Sequence, residues 1–248
     1  MNSIIKSKKT YFILGVIFIL VIWFVGQNSF DNEMVIPSFE STFSSLVSLF
    51  SKEKTYHILG NTLLRLFISI SISFILGVLL ATLSKMYYRF KEFIKPLMIL
   101  FKTLPVAVLI ILLLLMFNHD ALYFIVCVVV MPLIYEATSS GLEAVDKDIT
   151  DEIKMFSAIN FTIIRKIYLP IATPFIITSL LQSVGLGLKV LVMAELLTDA
   201  PNSIGYEILL NKNYINDMSV VYAWSILLIV FVLVIDFLVR IISKKLES

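Results

Sequence analysis

Long apolar runs alternate with short polar segments along the whole chain. Each run approaches the roughly 20 residues that an α-helix needs to cross about 30 Å of hydrocarbon. The runs lie near residues 11–25, 59–83, 96–117, 121–135, 171–197 and 221–242. The pattern therefore predicts an all-α membrane protein with about six transmembrane helices. Pro105 and Pro132 are expected to kink the third and the fourth of them.

The composition agrees with a membrane protein. Apolar residues make up 59% of the 248 residues, charged residues make up 15%, and the mean hydropathy is +0.96. Soluble domains average roughly 45–50% apolar and 25% charged residues. We expect an N-terminal anchor span over 1–30, an external amphipathic segment over 31–58, and a core over 59–248 that contains a polar loop over 139–170. The net charge of +2 gives no reason to expect a nucleic-acid partner.

The N-terminal region is predicted to stay in the mature protein. Lys6, Lys8 and Lys9 precede the first apolar run, as in a signal peptide, but no small-residue cleavage site follows it. Beyond this anchor, Ser38 is a candidate N-cap for a short amphipathic helix on the outer membrane interface. The apolar positions of that helix are Phe39, Phe43, Leu46, Val47 and Phe50.

The basic residues beside the runs predict the orientation. Alternating spans place four basic clusters on one side: the N-terminus, 85–95, 147–166 and 244–245. The loops on the opposite side hold only Lys52, Lys54 and Lys212. Because cytoplasmic loops carry an excess of Lys and Arg, both termini and the polar loop are predicted to be cytoplasmic.

The polar loop over 139–170 is a charged island between apolar runs. Asp146 is a candidate helix cap, and the acidic residues that follow it favour the positive end of the helix dipole. Apolar residues recur there at roughly helical spacing, which predicts short cytoplasmic helices that a soluble partner can bind. Leu169 and Pro170 are expected to end the helical register and to turn the chain into the fifth span.

The end of this loop resembles the conserved cytoplasmic loop of binding-protein-dependent ABC importer permeases. That loop has the pattern Glu-Ala-Ala, three residues, Gly, nine residues and Ile-x-Leu-Pro. The final motif is present as Ile167, Tyr168, Leu169 and Pro170. Family spacing places Asp151, Glu152 and Ile153 at the Glu-Ala-Ala positions and Ser157 at the glycine, so the alanines and the glycine are absent.

Further pieces are similar to the nitrate, sulfonate and taurine branch of these permeases. They are Ile36-Pro37-Ser38, Lys102-Thr103-Leu104-Pro105, the segment 141–148, Ala194-Glu195 and Ser203-Ile204-Gly205-Tyr206. The resemblance therefore extends from about residue 35 to the C-terminus.

The resemblance implies a permease subunit in the plasma membrane of a prokaryote, with the fold of the smaller importers and a cytoplasmic coupling helix. It implies a dimer with a second copy or a paralogue, partner ATPases that hold ATP and Mg, and an external substrate-binding protein. The implied solute is small and polar or anionic. The ATPase-coupling residues would be Asp151, Glu152, Ile153, Ser157, Ala158, Ile167, Leu169 and Pro170.

No catalytic residue, cofactor or metal site is expected in this chain. The sequence lacks the GxxxxGK[ST] phosphate loop, so ATP hydrolysis is assigned to the partner subunits. An intramembrane enzyme is disfavoured because the only histidines are His57 and His119, both at outer ends of predicted spans. An ion-coupled secondary transporter remains the alternative, although the sequence shows no internal repeat.

Ionisable residues in or near the spans are the candidates for the solute pathway, because charged groups are costly in lipid and usually face the protein interior or water. The candidates are Lys189, Glu195 and Lys102. Lys189 is the one expected to attract the solute, whereas Glu195 is expected to be mainly structural. Arg65 is expected to snorkel or to form a local ion pair.

Small residues on the fifth predicted span form one face, with Ser179, Ser183, Gly185 and Gly187. Such a face allows helices to approach closely in a membrane. Packing within the chain and contact with a second subunit are both open interpretations.

Overall fold

The structure is a computed structural model and describes residues 2–30, 32–118, 121–156 and 159–246. Those residues form helices joined by short turns, without a strand, so the all-α prediction is confirmed. The helices are α1 (Asn2–Phe30), α2 (Phe39–Ser51), α3 (Glu53–Met86), α4 (Tyr88–Thr103), α5 (Val106–Phe117), α6 (Ala121–Glu143), α7 (Lys147–Phe156), α8 (Phe161–Ile163), α9 (Leu169–Leu197), α10 (Ile204–Leu210) and α11 (Met218–Leu246). Two π-helical turns, Ile164–Tyr168 and Asn211–Ile215, follow α8 and α10.

Five helical stretches are long and apolar enough to cross a membrane. They are Thr10–Phe30, Glu53–Met86, Ala121–Glu143, Phe161–Leu197 and Met218–Ile235. A sixth candidate exists if the bent pair of α4 and α5 counts as one span. The prediction of about six spans agrees with this count of five, or six with the bent pair, and the helices extend beyond most of the predicted apolar runs.

The third predicted span is wrong as a single helix. A bend of 107° separates α4 from α5 at Leu104 and Pro105. Proline has no amide hydrogen to donate, and it disfavours helical geometry in the residue before it. Leu104 accordingly has an extended backbone with ψ of 130°. The sequence located this break correctly, but it is a sharp corner and not a kink. Pro132, in contrast, lies inside the continuous helix α6.

The chain divides into two compact units. The first contains Met1–Tyr56 and Glu207–Leu228, and the second contains His57–Tyr206 and Ile229–Ser248.

In the first unit, α1 is exposed along its apolar length. Trp23 is its main contact: the indole nitrogen donates to the Pro37 carbonyl at 3.1 Å, and the ring lies 5.7 Å from that of Tyr222. The hydroxyls of Ser45 and Ser219 lie 2.6 Å apart and join α2 to α11. An apolar helix with so little protein contact is typical of a lipid-facing span.

The predicted cap of α2 is confirmed. The Ser38 hydroxyl accepts a hydrogen bond from the Ser41 amide at 3.1 Å, as an N-cap residue does. The helix exposes Phe39, Phe43, Val47 and Phe50, as an amphipathic helix at an interface would.

In the second unit, α6 packs along α9 and also contacts α4 and α5. Small residues allow this close approach. A Cβ added to Gly141 would lie 2.8 Å from Cβ of Ala172, and one added to Gly77 would lie 2.9 Å from the Ile134 side chain. Both distances are too short for side-chain atoms, so these glycines fix the spacing between helices.

The small-residue face of α9 is largely buried inside this unit. Ser179, Ser183 and Gly187 are buried, and a Cβ on Gly187 would lie 3.1 Å from the Leu66 side chain. Packing within the chain therefore accounts for these residues, which is one of the two interpretations left open by the sequence.

Candidate functional site

The polar loop begins with a capped helix. The Asp146 carboxylate accepts a hydrogen bond from the Asp148 amide at 3.1 Å, and the Asp146 carbonyl accepts from the Thr150 amide at 3.0 Å. These contacts satisfy amides that a helix leaves unpaired at its start. The predicted cap is confirmed, and it starts α7 directly after α6.

Helix α7 has an exposed face and a core-facing side. Asp151 and Glu152 are exposed, whereas Ile153 packs against the hydrophobic cluster of the second unit. The exposed surface also carries apolar side chains: Met155 is 82% exposed and Ile149 is 41% exposed. A surface that combines exposed methionine and isoleucine with carboxylates is suited to a protein partner.

The chain returns from α7 to the bundle through a π-helical turn. Asn160 caps α8 by accepting from the Ile163 amide at 3.0 Å. The Leu169 amide then donates to the Ile164 carbonyl five residues earlier, so the helical path is continuous over Phe161–Leu197.

The predicted break at Leu169 and Pro170 is therefore wrong. Pro170 occupies the first turn of α9. The π-helical bond to Leu169 shifts the register just before the proline, and a missing amide hydrogen is tolerated in the first turn of a helix.

The predicted coupling residues separate into two groups. Asp151, Glu152 and Pro170 are exposed. Three others, Ile153, Ile167 and Leu169, pack on the buried cluster that includes Leu142, Val145, Ile164 and Tyr168. Ser157 and Ala158 lie outside the described residues. The exposed acidic pair is thus displayed by a helix whose apolar side anchors it to the protein.

Tyr168 is a residue of this site that the sequence reasoning passed over. Its ring is fully buried, and its hydroxyl donates to the Thr150 hydroxyl at 3.3 Å. The Lys85 ammonium lies 4.8 Å from the ring centroid, within range of a cation–π interaction. Tyr168 therefore joins the end of α3, helix α7 and the π turn. Its only signal in the sequence is its place inside the Ile-x-Leu-Pro motif.

Lys102, one of the pathway candidates, is engaged in an ion pair. Its ammonium donates to both Glu136 oxygens, at 2.9 and 2.7 Å. Both side chains are exposed. A second pair, Lys91 with Glu143 at 2.6 Å, joins the start of α4 to the end of α6.

Glu195 is the centre of a buried polar cluster. Its side chain has 0% exposure. The Thr62 hydroxyl lies 3.0 and 3.1 Å from its two oxygens, Arg65 Nη1 donates to Oε1 at 3.1 Å, and the Gly205 amide donates to Oε2 at 3.3 Å. The Ile204 amide donates to the Thr62 oxygen at 3.2 Å. A buried carboxylate is tolerated when it is paired and hydrogen-bonded in this way.

Close packing at Gly205 explains why a glycine follows Ile204. An added Cβ would lie 2.5 Å from the Leu196 amide nitrogen and 2.6 Å from the Glu195 Cβ. The two sequence pieces Ala194-Glu195 and Ser203-Ile204-Gly205-Tyr206 are thus brought together around one carboxylate. Arg65 forms an ion pair, which is one of the two outcomes expected for it, with a partner that the sequence did not indicate. The surroundings of Glu195 favour an anchor over contact with a solute.

Lys189 has a different environment from Glu195, although both lie on α9. Its side chain is exposed, and it contacts no acidic side chain in the part of the chain that the structure describes. Lys102 and Glu195 have separate ion-pair partners, and no hydrogen bond or ion pair among the described residues joins either of them to Lys189.

A family comparison identifies the class of protein. The sequence matches the family described as "Binding-protein-dependent transport system inner membrane component" over residues 73–248. The chain belongs to this family. It is a multi-pass membrane protein of the permease type found in ABC importers, a component that is not the catalytic subunit.

Solved structures share the fold at low sequence identity. A bacterial ABC transporter that imports the acidic polysaccharide alginate matches with a TM-score of 0.69 and 16% identity, covering 97% of this chain and 98% of that one. An amino-acid ABC transporter with histidines matches with a TM-score of 0.65 and 15% identity. The inward-facing methionine transporter MetNI matches with a TM-score of 0.63 and 17% identity. Each of these two covers 77% of this chain and 93% of the other. A search of curated proteins finds no match.

Proposed function

We propose that this chain forms the solute pathway of an ABC importer and couples it to ATP hydrolysis through the exposed face of α7. The observation that carries this proposal is a short amphipathic helix that displays Asp151, Glu152 and Met155 while Ile153 anchors it to the buried cluster. No phosphate loop is present in the sequence, so ATP and Mg belong to partner ATPases.

Coupling by this route requires a mechanical connection between α7 and the spans. Tyr168 supplies one, because it contacts Thr150 of α7 and lies at the base of the continuous helix Phe161–Leu197. When an ATPase moves α7, the displacement passes to this 37-residue helix. ATP binding and hydrolysis then shift the population between two packings of the bundle.

The proposed assembly follows from the family. A second permease chain, identical or paralogous, completes the pathway, two ATPases bind on the α7 side, and an external substrate-binding protein delivers the solute. The α7 side is the cytoplasmic side of a prokaryotic plasma membrane, because the basic clusters concentrate there. Both termini lie on that side.

The solute is proposed to be small and polar or anionic. Lys189 supports this choice, because it is an exposed cation on a span and lacks an acidic partner among the described residues. The nitrate, sulfonate and taurine branch is favoured by the sequence pieces alone. The solved relatives carry solutes as different as alginate and methionine.

Replacing Lys189 by Met tests its place in the pathway. We expect the Lys189→Met variant to insert and assemble normally and to take up an anionic solute several-fold more slowly, because the attraction of a cation in a low-dielectric pathway is lost. Unchanged uptake at equal expression would remove Lys189 from the pathway.

The test of the whole proposal is solute uptake in proteoliposomes that contain this chain and the ATPases encoded beside it. Asp151→Arg, Glu152→Arg is compared with the wild type and with Glu33→Arg, Glu40→Arg, a matched reversal of two exposed carboxylates outside the loop. We expect the reversal on α7 to abolish both ATPase association and ATP-dependent uptake, and the control to retain both.

A different outcome would favour a secondary transporter. If no ATPase binds and a solute or ion gradient drives uptake without ATP, the importer proposal fails. The wild-type chain alone, energised only by an imposed gradient, is the control that separates the two mechanisms.

A further inference from the structure

Helix α4 is poorly suited to be part of a straight transmembrane span. It has 16 residues and meets α5 at 107°. If α5 stands along the bilayer normal, α4 lies nearly in the plane of the membrane. The ion pair between Lys91 and Glu143 places the start of α4 at the end of α6 from which α7 begins. The helix therefore lies at the same end of the second unit as the polar loop.

Three faces of α4 have different chemistry. One face packs on the buried cluster through Ile94 and Met98. A second face is apolar but exposed, with Phe93 76% exposed, Leu97 39% and Leu100 50%. These three residues are spaced at i, i+4 and i+7, so they form one stripe along the helix.

The third face of α4 is basic. Lys91, Lys95 and Lys102 repeat at i, i+4 and i+11, which places them on the side opposite the apolar stripe. From residue 85 to residue 102 the sequence has five basic residues and one acidic residue. Lys95 on this face is exposed, and so is Arg89, which lies one turn before Phe93 at the start of the apolar stripe; neither pairs with a carboxylate among the described residues. The surface therefore keeps unneutralised positive charge.

We propose that α4 is an interfacial helix that binds anionic phospholipid on the α7 side of the membrane. Its apolar stripe enters the boundary between headgroups and acyl chains. Arg89, one turn before Phe93 at the start of the stripe, and Lys95, on the basic face, contact lipid phosphates. An amphipathic helix with aromatic and aliphatic residues on one side and Lys or Arg on the other binds membranes in this manner. The charge selects an anionic lipid over a zwitterionic one. This inference concerns the chain itself and does not depend on coupling to an ATPase.

The depth of α4 is tested by spin labels on the full-length protein in vesicles of phosphatidylcholine and phosphatidylglycerol. In a Cys127→Ser background, single labels are placed by Phe93→Cys, Leu97→Cys and Lys95→Cys. Phe67→Cys on α3 and Met155→Cys on α7 give the lipid and water references, since both residues are exposed.

We expect the labels at 93 and 97 to collide with oxygen dissolved in lipid, and the label at 95 to collide with a water-soluble nickel complex. Equal access to the nickel complex at 93, 95 and 97 would overturn the proposal. Protection of 93 and 97 from both reagents would also overturn it, because another protein chain would then cover the stripe.

Lipid preference is tested by native mass spectrometry of the chain extracted from the same mixed vesicles. We expect phosphatidylglycerol to be retained over phosphatidylcholine, and Arg89→Gln, Lys95→Gln to reduce that preference by about fivefold for each charge removed. The charge-conserving variant Arg89→Lys, Lys95→Arg should retain the preference. Equal retention of the two lipids by the wild type, or competition by inorganic phosphate at millimolar concentration, would contradict a lipid headgroup site.

Discussion

Carboxylates in two regions of this protein have opposite environments. Glu195 is fully buried and receives hydrogen bonds from Thr62, Arg65 and the Gly205 amide. Glu152 and Asp151 on α7 are exposed, beside the exposed side chain of Met155. The buried acid is closed off from any partner outside the chain, whereas the exposed acids lie on a surface that another protein can reach. Burial therefore separates the carboxylate with a structural role from the carboxylates that can bind another protein.

The first test of this comparison replaces one glutamate in each region. Glu195→Ala should lower the free energy of unfolding by about 3 kcal/mol, because it leaves Arg65 and the Gly205 amide without their acceptor. This is the lower end for a broken buried pair, since 21% of the Arg65 side chain is exposed. Glu152→Ala should change stability by no more than about 0.5 kcal/mol. Reversible unfolding in mixed micelles, followed by circular dichroism, measures both.

Similar losses in the free energy of unfolding for Glu195→Ala and Glu152→Ala would show that burial does not separate the roles of the two glutamates. Glu195→Gln is the conservative variant, and it should recover part of the loss because the amide oxygen still accepts hydrogen bonds.

The second prediction compares two buried threonines. Thr62 donates to Glu195 and accepts from the Ile204 amide, whereas the Thr138 hydroxyl is buried and has no hydrogen-bond partner among the described residues. Thr62→Val should lower the free energy of unfolding by about 2 kcal/mol, because it leaves buried polar groups without hydrogen bonds. Thr138→Val should be neutral or stabilising, since it removes a buried hydroxyl that lacks a partner. Thermal unfolding of the two variants measures the difference, and an equal loss would contradict the role of Thr62 as an anchor.

The third and smallest effect concerns the attachment of α7. Tyr168→Phe removes the hydroxyl that donates to Thr150, which should cost about 1 kcal/mol of local stability. Hydrogen exchange of the amides in Lys147–Phe156 should then accelerate about fivefold. Tyr88→Phe is the matched control, because Tyr88 is 74% exposed, and it should leave exchange in α7 unchanged. Unaltered exchange in Tyr168→Phe would show that this contact does not hold α7.

Local chemistry made several features predictable from the sequence. The apolar runs gave the spans, and the caps at Ser38 and Asp146 gave the starts of α2 and α7, because a cap depends on residues only a few positions away. The Ile-x-Leu-Pro motif indicated the permease family, and the family match over residues 73–248 confirms that family.

Features that depend on distant residues or on hydrogen-bond register were not predictable. Arg65 and Glu195 are 130 positions apart, so their pairing follows from the packing of α3 and α9. Pro170 alone predicts the end of a helix. The π turn over Ile164–Tyr168 changes the hydrogen-bond register, so that Pro170 falls in the first turn of α9 and the helical path continues. Pro105 located the break between α4 and α5, but a proline alone does not indicate an angle as large as 107°.

The most direct test of the central claim is a cysteine crosslink from α7 to a co-expressed ATPase. Met155→Cys is introduced in a Cys127→Ser background, and Met34→Cys is the control because Met34 is also exposed, at 64%, but lies outside the polar loop. We expect Met155→Cys to form an adduct with the ATPase that changes in yield when ATP is added, and Met34→Cys to form none. Absence of an adduct at position 155, in a preparation that still performs ATP-dependent uptake, would contradict the assignment of α7 as the coupling surface.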